Sequence, residues 1–151
     1  MSTFLVTVLA GIVATSGMSL LMWAITRSGI AEADMIRAIG TIFTRSGKSA
    51  FTVGLVVHYI VGVIIAFAYV ALISVIGYSS VAGAIGLGCL ISVAHGVAFG
   101  FVLVISVAEH HPMERFRKAG MEVAVAHFAG HVVYGLLIGT VVGLTGIRFF
   151  G

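Results

Sequence analysis

Ionisable side chains are scarce in this chain of 151 residues: Lys and Arg number 8, Asp and Glu number 5, and charged residues make up 9% of the total. Soluble globular domains carry about a quarter, so this sequence cannot build a water-facing shell around a core. Cysteine occurs once, as Cys89 inside an apolar stretch, which excludes a disulfide framework and leaves a small packing residue. The single proline, Pro112, falls between hydrophobic runs. There is no HExxH zinc helix, no nucleotide loop and no serine nucleophile elbow. Of the repeated histidine boxes of membrane di-iron enzymes there is only a fragment. Hydrolase and oxygenase chemistry is therefore unsupported, and no reaction is assigned.

What the chain has is apolar length. Hydrophobic residues make up 60% and the mean hydropathy is +1.22. Four runs, 4–25, 51–76, 81–107 and 121–147, are each long enough to cross a hydrocarbon core of ~30 Å, which takes about 20 helical residues. The period-2 pattern of barrel strands is missing, and backbone in lipid must satisfy its own hydrogen bonds. The expected fold is all-α: a single integral membrane domain over 1–151, a four-transmembrane-helix bundle with a short interfacial amphipathic helix between helices 1 and 2. Met1 to Phe4 carries no basic residue and the run behind it is too long for a signal-peptide core, so the first run is read as a true span.

The basic residues set the orientation. Arg27, Arg37, Arg45 and Lys48 lie in the first loop, Arg115, Arg117 and Lys118 in the third, and the second loop around Tyr78 has no charge. The positive-inside rule places loops one and three in the cytoplasm and both termini outside, with Arg148 opposing. The net charge of +3 then reflects topology, and nucleic acid is not an expected partner.

Within the first loop, residues 31–45 read as the interfacial helix. Met35, Ile36, Ile39, Ile42 and Phe43 share one face, and Asp34, Arg37, Thr41 and Thr44 share the other. Glu32 and Asp34 near its start and Arg45 near its end suit the helix dipole, and Gly47 is the expected stop. Glycines at i, i+4 (Gly96 and Gly100; Gly135, Gly139 and Gly143) predict close helix contacts, within the bundle or between protomers. Span one carries a small polar seam, Thr7, Gly11, Thr15 and Ser19, expected to pack on a neighbour. His58-Tyr-Ile-Val-Gly62 and His131-Val-Val-Tyr-Gly135 share a step that suggests a parallel internal repeat.

The histidines carry the functional expectation. His58, His95, His110, His111, His127 and His131 all fall in the cytoplasmic half or at its edge. At 1.5 Å per residue, His58 and His127 lie about 10 Å deep, and His95 and His131 about 16 to 18 Å. His127 and His131, at i, i+4, face the same way. Polar groups in a bilayer face the bundle interior and often mark function. Imidazole is both an axial haem ligand and the commonest metal ligand. Haem b held between His58 and His131, with His95 or His127 beside it, fits this pattern. A transition-metal centre on His95, His127 and His131 is the alternative. The competing expectation is that these residues only hydrogen-bond helices together and hold no cofactor. At the interface Glu109, His110 and His111 form a further metal-binding candidate, although Glu114 and Lys118, one turn apart, point to a solvated loop helix.

Four segments together resemble small bacterial four-helix membrane proteins of unknown function. They are Ala14-Thr15-Ser16-Gly17-Met18-Ser19, His58-x3-Gly62-x3-Ala66-x2-Tyr69, Ala94-His95-Gly96 and His131-Val-Val-Tyr-Gly135-x3-Gly139. The resemblance implies the architecture and a bacterial inner membrane, and supplies no activity. The leading expectation is a redox or accessory subunit of a membrane complex. A cofactor-free scaffold or assembly subunit packing through its glycine seams is the alternative, and a small transporter or channel the second. Partners would be the lipid bilayer and other membrane subunits or further copies of the chain.

Overall fold

The structure is a computed structural model that describes residues 2–150, apart from the side chains of Leu103 and Ser106. The chain forms α1 (Thr3–Ser28), α2 (Met35–Thr44), α3 (Ala50–Ile76) and α4 (Val81–Gly96). A π-helical segment, Val97–Leu103, leads on into α5 (Val104–Glu109), followed by α6 (Glu114–Arg117) and α7 (Met121–Thr145). Four helical stretches are long and apolar enough to cross a membrane: α1, α3, the continuous run Val81–Glu109, and α7. The described residues contain no strand.

Local chemistry sets the helix ends. Ser2 and Ser80 accept hydrogen bonds from the Leu5 and Gly83 amides and so cap α1 and α4, satisfying N–H groups that have no partner inside the helix. Gly29 and Gly146 end α1 and α7 at φ 75° and 66°, the left-handed geometry glycine adopts without strain. Helix α2 departs from expectation at both ends. It starts only at Met35, with Asp34 bonding the Arg37 amide, and stops at Arg45, itself left-handed with its N–H on the Thr41 carbonyl. Gly47 is not the stop.

In the bundle α7 packs between α1 and α4, and α1 packs in turn on α3, giving the order α4, α7, α1, α3. Between α3 and α4, which would close the ring, contact is sparse. The glycines explain the tight interfaces. A Cβ on Gly88 would meet the Gly135 carbonyl, and one on Gly139 the Ala84 carbonyl, so this seam is consumed inside the bundle between α4 and α7. Gly11 of α1 sits equally close to Val63 of α3.

At the end carrying the termini, the last residues fold back across the bundle. Arg148 donates to the Tyr78 carbonyl at 2.7 Å and lies over its ring. The Phe149 amide donates to Ser74 Oγ at 3.1 Å, and its ring stacks on Phe67. At the opposite end, α2 docks on α3 through small residues: a Cβ on Gly40 would strike the Ala50 backbone, and one on Gly54 the Ile36 carbonyl. The amphipathic wheel is thereby corrected. Thr41, expected on the polar face, is buried, because the smallest side chains bring α2 close to α3, while Ile42 and Phe43 of the apolar face stay exposed, as a face turned to lipid would be.

Candidate functional site

The helices enclose a cavity of about 290 Å³ in the half of the bundle covered by α2 and α6, at the lower end of small-molecule sites. His58 from α3, His95 from α4, and His127 and His131 from α7 all line it. The convergence expected from depth and helical face is therefore present. His95 and His131 are in direct contact, with ring centroids 4.5 Å apart.

Hydrogen bonding decides what each ring can offer. His127 Nδ1 bonds the Val123 carbonyl at 2.8 Å, and His131 Nδ1 bonds the His127 carbonyl at 2.7 Å. A carbonyl only accepts, so Nδ1 carries the proton in both rings and Nε2 keeps its lone pair. That second-shell arrangement, with one ring nitrogen held by backbone, is the one metal-binding histidines use. His95 Nδ1 pairs with the Tyr69 hydroxyl at 2.9 Å. His58 Nε2 is buried with no partner at all, as is Thr15 Oγ1.

Among the described residues, no three His, Cys, Asp or Glu side chains are arranged to hold a metal ion. His95, His127 and His131 are neighbours without forming a closed triad. His127 stands one turn from His131, and each ring is held to its own helix through Nδ1. The candidate at the interface comes apart more completely. Glu109 and His110 are exposed, whereas His111 turns inward beneath α2. Its Nδ1 accepts from the Met113 amide at 3.1 Å, and its Nε2 faces the Ala38 carbonyl at 3.1 Å and Thr41 Oγ1 at 3.4 Å. Both ring nitrogens are engaged, so His111 is a fastener for α2.

Around it, Arg115 bonds Glu32 at 2.8 Å and reaches Asp34 at 3.5 Å. The hydrogen bond that Arg115 donates to Glu32 raises the pKa of the guanidinium, with burial opposing it and the charges of Glu32 and Asp34 adding to it. Glu114 and Lys118 form the expected exposed i, i+4 pair at 3.6 Å.

Two tyrosines were missed by histidine spacing alone. Tyr69 holds His95, and Tyr134 donates to the Gly62 carbonyl at 2.6 Å, tying α7 to α3. Their positions gave a signal: Tyr134 follows His131 by three residues, and Tyr69 lies on the His58 face of α3. Thr15, a member of the polar seam of span one, and Phe99 also line the cavity, and nothing in the spacing of Phe99 separated it from ordinary packing residues. Compared with family models, curated proteins and solved structures, the chain matches none.

Proposed function

We propose that the chain is a redox or accessory subunit of a bacterial inner-membrane complex, and that its cavity holds a transition-metal ion on His95, His127 and His131. The observation that carries this reading is a single cavity lined by imidazoles from three helices, two of them with Nδ1 committed to backbone carbonyls and Nε2 left for a ligand. The charged residues at the cavity wall are Glu32 and Asp34. Both are paired with Arg115, so the wall presents no unpaired charge to a ligand and the imidazole nitrogens alone carry the reading. When bound, the ion would supply one-electron chemistry or Lewis acidity. The protein's own residues fix imidazole tautomers, exclude water and hold the ligand nitrogens below the membrane surface.

The packing also bears on the other readings. The C-terminal residues cover the far end of the bundle through Tyr78 and Ser74, which supports a blind pocket over a transport path. The glycine seam of α4 and α7 is used internally, which leaves less of it for a scaffold role.

The test is the metal content of protein purified in detergent, by mass spectrometry of the elements, with an absorption spectrum of the same sample. A near-stoichiometric transition metal that disappears in His131→Ala supports the reading. A Soret band would replace the ion by haem, and neither signal would leave a bundle without a cofactor.

A further inference from the structure

Among the described residues, the buried side-chain polar atoms without a hydrogen-bond partner are Thr15 Oγ1 and His58 Nε2, and both residues line the cavity. Thr15 is 0% exposed and His58 8%. The threonine is an exception on its own helix: Thr7, Ser16, Ser19 and Thr26 each donate their hydroxyl to the carbonyl four residues back. Buried polar groups are almost always paired, and an unpaired one marks a site for a ligand or water. Neither atom belongs to the metal set argued above.

The surroundings define what could pair with them. Apart from Glu32 and Asp34 at the α2 end, which pair with Arg115, the rest of the wall is largely apolar and aromatic, including Ile65, Phe99 and Tyr134, and among the described residues it carries no Lys or Arg. An anionic head group would meet no compensating charge there. A hydroxyl, with His58 in its Nε2–H tautomer, instead suits an uncharged carbonyl oxygen.

Access comes from the side. The cavity residues Val61 on α3 and Phe99 in the π-helical segment are 49% and 44% exposed, on the two elements flanking the open side of the bundle. Both lie within spans, so an approach to the cavity between them would come from the hydrocarbon. The π segment starts two residues after His95, and such widened turns recur at functional sites.

We propose that this locus is a binding site for the carbonyl head of a lipid-soluble quinone-type molecule, which enters from the bilayer between α3 and the π-helical segment and is held by Thr15 and His58. The site stands whether or not a metal occupies the other histidines.

The test uses the full chain in phosphatidylcholine nanodiscs, with an azido-substituted short-chain benzoquinone as photolabel and peptide mapping of the adduct. Saturable labelling of α3 and the π segment is expected, competed by unlabelled short-chain benzoquinone and not by oleate. Thr15→Val, which removes the hydroxyl at nearly constant shape, should weaken apparent affinity about tenfold. Val61→Trp, at an exposed rim position, should obstruct labelling while leaving thermal unfolding unchanged. Labelling that never saturates, that oleate displaces, or that neither variant alters overturns the site. Metal content read on the same samples separates the two ideas: Thr15→Val should retain the parent's metal. A metal-free protein that is still labelled saturably would remove the metal reading and uphold this one.

Discussion

The imidazole of His95 stands edge-on to that of His131, with ring centroids 4.5 Å apart and planes at 74°. The contact joins α4 to α7 just beyond the glycine seam, where Gly96 already brings the helices close against Phe128 and His131. On its other side the His95 ring is held by Tyr69 of α3. One half-exposed histidine therefore links three helices, across the side of the bundle where α3 and α4 otherwise barely meet.

Removing the tyrosine hydroxyl should loosen that link. Tyr69→Phe keeps the aromatic packing and deletes the bond to His95 Nδ1, at an expected cost of about 0.6 to 1.7 kcal/mol in a bilayer. A double-mutant cycle with His95→Ala, read by unfolding in mixed detergent, should return a coupling in that range. Strict additivity would show that the hydrogen bond contributes nothing.

The α4 and α7 seam makes a sharper contrast. Ala at Gly88 or Gly139 places a methyl group against backbone carbonyls, which cannot yield without separating the helices. Each should destabilise by roughly 1 to 3 kcal/mol. Gly86, on the same helix, has nothing within 4 Å of its would-be Cβ. Gly86→Ala should be neutral or stabilise by up to about 1 kcal/mol through helix propensity. Equal effects at Gly86 and Gly88 in thermal unfolding would contradict the packing.

At the α2 end, burial and not charge should govern stability. His111→Ala leaves the Met113 amide and the Ala38 carbonyl without their buried partner, and is expected to cost about 1 to 3 kcal/mol. Arg115→Ala breaks exposed ion pairs with Glu32 and Asp34 and should cost about 0 to 1 kcal/mol. Hydrogen exchange on α2 gives the comparison directly: faster exchange in His111→Ala than in Arg115→Ala is the expected order.

The spans were legible to within a few residues because hydropathy is a property of sequence alone, and a bilayer-crossing helix needs a fixed length. The shared depth of His95 and His131 was legible for the same reason, since helical rise is constant. Neighbour relations were not. No local signal indicated that α3 and α4 would stand apart, or that Thr15 would leave its buried hydroxyl unbonded. Thr41 and Gly47 were misplaced because a helical wheel ranks residues by polarity, whereas the docking of α2 is decided by the size of Gly40 and the reach of His111. The tautomers that expose Nε2 on His127 and His131 depend on ring orientation, which spacing does not encode.

Metal addition supplies the remaining prediction, because an ion bound only by the folded bundle must stabilise it by mass action. With free metal at a hundredfold excess over its dissociation constant, the expected gain is about 2.7 kcal/mol. It should appear as a rise in unfolding temperature that chelator reverses. His127→Ala and His131→Ala should each abolish most of the gain. Ala at His111, whose two nitrogens are engaged with α2 and the Met113 amide, should leave the gain intact while lowering the starting stability. A gain that persists in both His127→Ala and His131→Ala would separate the buried imidazoles from metal binding.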